Sequence, residues 1–180
     1  METPKLERYL NSFANTVVRQ SKESLASSKG STRLGASIRS EVIMEANGYS
    51  IKFYMLDYGE YLDKGVSGNK VMRSYKNYNL VNQTSPYKYT NKQPPPDILS
   101  RWIKKKGIKP KGLGRGRDKN TGQFISNLAF LIGKKIKARG IPSLSFFSQP
   151  LGVNYTKLKE ELLTDFTEDV KTYLTTFYRP

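Results

Sequence analysis

Residues 37–56 read SIRSEVIMEANGYSIKFYML, with an Asn47-Gly48 pair at the centre of two alternating runs. Asn-Gly suits a two-residue type I′ hairpin turn, because both turn positions need positive φ and these residue types adopt it readily. Closing the turn on that pair sets Ala46 opposite Tyr49, Met44 opposite Ile51 and Val42 opposite Phe53. These three apolar pairs share one face. The other face takes Glu45 against Ser50 and Ile43 against Lys52, with Glu41 and Glu45 toward solvent. The pattern predicts an antiparallel hairpin running to about Met55.

On the N-terminal side, residues 4–28 carry Leu6, Tyr9, Leu10, Phe13, Val17 and Leu25 mostly at three- and four-residue spacing, which predicts a helix. Pro4 fits its first turn and SSKGS at 27–31 stops it. At the other end, Leu158, Leu162, Phe166, Val170, Tyr173, Leu174 and Phe177 form one stripe of a helix over roughly 154–178. Between these ends, residues 97–106 suit a short helix with Asp97 as N-cap, and Ile98, Leu99, Trp102 and Ile103 as its apolar side. A second helix is expected over 123–138, with Ile125, Leu128, Ala129, Ile132 and Ile136 on one side and Gly140 ending it. The segment IPSLSFFSQPLG at 141–152 reads as extended, pinned by Pro142 and Pro150. Its adjacent Phe146 and Phe147 would point to opposite sides, one into the core and one toward a neighbouring subunit, or both would be buried within one chain. Residues 66–96 have no sustained period, five basic residues and no acidic one, and read as a long loop or arm. Their Tyr, Asn and Ser content is that of adaptable protein interfaces.

The 180 residues suit a single domain over 1–180, with 66–122 a basic, Tyr/Gly-rich insertion. Hydrophobic residues make up 37 %, below the usual share. The net charge of +16 favours polyanions or acidic protein surfaces. There is no Cys and no His, which removes disulfides, thiolate chemistry and the commonest general base. No stretch is long and apolar enough to span a membrane, and METPKLERYL lacks the apolar core of a signal peptide.

Two stretches invite a chemical reading. DYGEYLDKG at 57–65 spaces Asp57, Glu60 and Asp63 three apart, so paired carboxylates for a divalent cation or acid–base work come to mind. The plainer reading is a strand end turning into a tight loop at Gly59, with Tyr58, Tyr61 and Leu62 packing and the carboxylates solvated or paired. No catalytic residue, metal ligand or cofactor is therefore assigned. The second stretch is basic: from Arg101 to Lys119 stand nine cations and one acid. They are Arg101, Lys104, Lys105, Lys106, Lys109, Lys111, Arg115, Arg117 and Lys119. On a glycine-broken loop they could track phosphates or meet an acidic protein, with Trp102, Tyr75, Tyr78, Tyr87 and Tyr89 available to stack on bases. GLGRG and GKK lack the glycines and flanking elements of nucleotide-binding loops.

The order of parts resembles the tail-completion and neck proteins of tailed bacteriophages. RLGASIRSEV (33–42) is similar to the family phrase G-x-L-x-x-S-I before the hairpin, with the glycine displaced to Gly35. YGEYLDKG (58–65) is similar to Y-A-x-x-x-E-x-G, with Gly59 for alanine and Asp63 for glutamate. FFSQPL (146–151) resembles the lead into the family's final helix. The likeness covers residues 1–65 and 141–178, and 66–122 has no counterpart. It implies an α+β fold with a hairpin-based antiparallel sheet between long terminal helices. It also implies a six- or twelve-fold homo-oligomeric ring at the virion head–tail junction, assembled in the host cytoplasm. Such a ring adjoins portal or other neck and tail proteins, reaches packaged DNA in the channel and has no membrane partner. Tyr58, Glu60, Tyr61, Asp63, Phe146 and Phe147 are then the expected subunit-interface residues. The alternative expectation is a non-sequence-specific nucleic-acid-binding protein acting through 101–119.

Overall fold

The computed structural model describes residues 4–29, 32–46, 48–108, 115–117 and 124–177. Its fold is α+β, with a long helix at each end and small two-stranded antiparallel sheets between them. The chain packs as two units. The first holds Met1–Gly59, Lys76–Asn82 and Leu144–Pro180; the second holds Glu60–Tyr75 and Gln83–Ser143.

In the first unit, α1 (Pro4–Lys29) buries Leu10, Ala14, Val17, Ser21 and Leu25, one stripe at three- and four-residue steps. Against α1 pack α2 (Arg33–Ser37), the hairpin strands β1 (Arg39–Glu45) and β2 (Gly48–Tyr54), and α6 (Ser148–Phe177). Thr32 caps α2, its Oγ1 accepting from Gly35 N at 3.1 Å. The hairpin exists as expected but its register differs: Glu45 pairs with Gly48, Met44 with Tyr49 and Val42 with Ile51. The glycine (φ +139°) thus opens the second strand instead of closing the turn. The observed register sets Arg39 opposite Tyr54 and Glu41 opposite Lys52. The Arg39 guanidinium then lies 4.3 Å from the Tyr54 ring centre, and the Tyr54 hydroxyl donates to Glu41 at 3.1 Å. Each residue keeps its expected face, because the partner shift is two positions and side chains alternate with period two.

Helix α6 starts earlier than the stripe alone indicates. Pro150 sits in its first turn, where a missing N–H breaks no helical hydrogen bond. Phe146 and Phe147 form the turn before it. Asn154 ties α6 to α1, donating to Gln20 Oε1 at 2.6 Å as well as to the Pro150 carbonyl at 2.8 Å. Tyr9 donates to Glu161 across the same helix pair. Of the C-terminal stripe, Leu158 is buried and Leu162 exposed; the side chains of Phe166, Val170, Tyr173, Leu174 and Phe177 lie outside the described residues. The 76–82 segment joins this unit at Gly152, where an added Cβ would lie 2.6 Å from the Tyr78 carbonyl oxygen. Tyr78 also meets Tyr155 edge to face, with ring centres 6.5 Å apart.

The acidic stretch is neither a strand end nor a tight loop. It is helix α3 (Tyr58–Lys64), which the three-residue spacing of its carboxylates already fitted. Gly59 packs closely there: a Cβ would lie 2.7 Å from Met55 Sδ and 2.9 Å from Leu34 Cδ1, so those side chains would have to shift to admit it.

In the second unit, α4 (Pro96–Lys105) packs on α5 (Asn127–Arg139). Pro95, not Asp97, holds the N-cap position of α4 and makes no side-chain cap; Asp97 lies within the first turn and pairs with Arg101 at 3.0 Å. Ile103 is buried and Leu99 half-buried, but Ile98 and Trp102 face solvent, so the apolar residues of α4 do not all belong to the core. Strand β5 (Arg115–Arg117) pairs with β6 (Phe124–Ser126), so residues 124–126, including Ile125, are strand and α5 begins only at Asn127.

The stretch 66–96 is not a free arm. It contains β3 (Ser74–Lys76) and β4 (Asn82–Thr84), and residues 66–73 close the end of α5. A helix leaves its last four carbonyls without helical partners. Here Gly140 N serves Ile136 O at 2.7 Å, Asn69 N serves Lys137 O at 2.9 Å, and Lys70 N serves Ala138 O at 3.0 Å. Arg73 Nε serves Arg139 O at 2.8 Å. Beside this cap, Val66 and Ile141 exchange two backbone hydrogen bonds, at 2.9 and 2.8 Å.

Candidate interaction surfaces

The three carboxylates of the acidic stretch have separate environments. Asp57 is exposed, Glu60 is exposed, and Asp63 is only 3 % exposed. Among the described residues no group of three or more acidic side chains comes together as a metal site. Glu60 is the centre of a small polar cluster in the second unit. Lys64 Nζ donates to its Oε1 at 2.5 Å, and the Tyr87 hydroxyl donates to the same carboxylate. Tyr87 in turn stacks at a tilt on Tyr61, ring centres 4.4 Å apart. The Lys64 hydrogen bond, then that of Tyr87, holds the Glu60 carboxyl below its ordinary value. The Glu60 hydrogen bond, then burial and the Glu60 charge, pushes the Tyr87 phenol up to about 12.

These shifts set a pH window. A raised phenol means the folded state holds its proton more tightly than the unfolded chain. The contribution of Tyr87 is therefore full below its ordinary value, near 10, and is lost as pH rises toward about 12. That of Glu60, a lowered carboxylate, is present above its ordinary value and is lost as pH falls through the lowered one. Ultraviolet titration of the tyrosines should show a component ionising near pH 12, absent in Tyr87→Phe and moved to lower pH in Glu60→Gln. An unchanged titration in Glu60→Gln means the pair does not form.

The expected interface residues divide by exposure. Tyr58 (46 %), Glu60 and Tyr61 (47 %) reach the surface. Asp63 and Phe146 do not: Phe146 is fully buried, which makes it a core residue and corrects its placement at a subunit contact. The Asp63 carbonyl accepts from Ser143 Oγ at 2.6 Å. Phe147 is half-buried and packs edge to face on Phe53, ring centres 5.3 Å apart.

Of the basic residues, Arg101, Lys104, Lys105 and Lys106 lie on α4 or at its end and are exposed. Lys109, Lys111 and Lys119 lie outside the described residues, and of Arg115 and Arg117 only the backbone is described, in β5. The larger pattern is a segregation of charge that the run alone does not reveal. The second unit has 18 Lys and Arg against 4 Asp and Glu, a net of +14. The first has 13 against 11, a net of +2. Sequence reasoning also missed the exposed Phe130 and Leu131, because apolar residues on a predicted helix were assigned to its core side or to none, and the exposed Met72, which lies in a stretch read as loop.

No protein-family model, curated protein or solved structure matches this chain.

Proposed function

We propose that this chain is a structural virion protein that forms a ring at the head–tail junction of a tailed bacteriophage, joining portal-side and tail-side proteins around the DNA channel without catalysing a reaction. One observation carries this reading. The phrases resembling neck and tail-completion proteins occupy 1–65 and 141–178, and the first unit is built from Met1–Gly59, Lys76–Asn82 and Leu144–Pro180. The residues without a counterpart, 66–122, fall in the second unit except for Lys76–Asn82. The likeness thus covers most of the first unit, although Glu60–Gly65 of YGEYLDKG falls in the second, and this overlap supports a scaffold with an added unit.

Two further features support it. The β1–β2 sheet has only two strands, so it has two outer edges to which a neighbouring copy can add. Tyr58 and Tyr61 stand exposed on α3, and aromatic residues of this kind serve as interface anchors. A heterologous contact repeated around an axis closes a ring, and each contact must bury on the order of 1,200 Å² to hold.

Negative-stain imaging and mass measurement of the full chain, alone and with a portal, test the reading. Closed rings of one subunit number, or a ring seated on the portal, are expected. A monomer that neither closes nor binds at any salt between about 50 and 200 mM overturns it.

A further inference from the structure

We propose that the second unit is a duplex-DNA contact surface, held to phosphates through Lys104, Lys105 and Lys106 at the end of α4, without base reading. This goes beyond ring formation and does not depend on it.

Three observations converge. First, a net +14 in one unit beside +2 in the other is more than solubility requires, and it fits a partner with dense, regularly spaced negative charge. Second, the lysines at the end of α4 are exposed to such a partner. Asp97 engages Arg101, but Lys104, Lys105 and Lys106 are exposed and no acidic side chain pairs with them among the salt bridges of the described residues. Lys134 and Lys135 on α5, which packs on α4, are exposed as well. Third, the aromatic chemistry of single-strand binding is mostly committed elsewhere. Tyr87 is tied to Glu60 and Tyr61, the Tyr75 hydroxyl donates to Gln83 at 3.1 Å, and Tyr89 is half-buried. Of the stacking candidates named in this unit, Trp102 alone stays exposed, so phosphate contact is the chemistry with the most groups available, and it favours a duplex over a stacked single strand.

The test is fluorescence anisotropy of the full chain with a labelled duplex of arbitrary sequence, across salt. Two variants remove equal charge from exposed positions: Lys104→Gln/Lys105→Gln/Lys106→Gln in the second unit, and Arg8→Gln/Lys22→Gln/Arg33→Gln in the first. The first variant should lose about tenfold or more in affinity, and its log–log salt slope should fall by about 2 to 3. The second should stay within about twofold with an unchanged slope. Equal losses in both variants mean diffuse attraction, and the proposal fails. It also fails if the parent chain does not bind the duplex at low salt, or if a single strand binds more tightly and Trp102→Ala abolishes that preference. Competition by polyglutamate as effective as by unlabelled duplex assigns the surface to an acidic protein instead. Ring closure is read separately by imaging, so either proposal can fail alone.

Discussion

Gly140→Ala is expected to lower the stability of the second unit by about 3 kcal/mol or more. Gly140 has φ +70°, in the left-handed region where a side chain is strained. An added Cβ would lie 2.0 Å from Val66 O and 2.5 Å from Gly68 N, both backbone atoms that cannot swing aside. Gly68 faces the same constraint from the other side, at 2.2 Å from Ala138 O. Any relief separates residues 66–70 from the end of α5, and with them the donors that satisfy its last carbonyls. Gly107→Ala is the control: its φ is +64°, but no described residue lies within 4 Å of the added carbon. It isolates the strain, about 1 kcal/mol. Denaturant unfolding measures the difference, and hydrogen exchange should show the amides of 66–70 losing protection in Gly140→Ala alone. Equal costs for the two substitutions would contradict the close backbone contact.

Phe146→Ala is the second large effect, about 3–5 kcal/mol. Phe146 is the largest fully buried side chain described and has no exposed surface, so truncation removes its transfer free energy and leaves a cavity. Phe147→Ala should cost less, about 1–2 kcal/mol, because that ring is half-buried and its described aromatic contact is an edge-to-face pair with Phe53. Thermal or chemical unfolding of the two variants gives the order directly. A larger loss in Phe147→Ala reverses the assignment of core and flank.

The long helices and the hairpin were legible because each repeats its own period over many residues, as with Leu10, Val17 and Leu25 in α1. The hairpin register was not, because it depends on Arg39 meeting Tyr54 and Glu41 meeting Lys52, cross-strand pairs that turn preference does not contain. Residues 66–73 read as loop because their order comes from three carbonyls at the end of α5, more than 60 positions away. The acidic stretch was read as a turn because Gly59 signals one locally, whereas the glycine serves close packing against Leu34 and Met55 inside a helix. Of the surface residues singled out, those on α4 could be located from helical spacing, whereas Tyr58, Glu60 and Tyr61 were placed on a turn and lie on a helix. The concentration of charge could not, since it requires knowing which distant segments pack together.

The backbone leaves one unit for the other four times, after Gly59, Tyr75, Asn82 and Ser143. Neither part can therefore be excised by a single cut or expressed as one uninterrupted fragment. Deleting everything between the third and final passages would keep Tyr78 against Gly152 but strand residues 60–75 without the helix they terminate. Deleting the whole intervening stretch would instead bare that glycine. Engineers wishing to shorten the protein must keep a seven-residue bridge, Lys76–Asn82, and rejoin the chain on both sides of it.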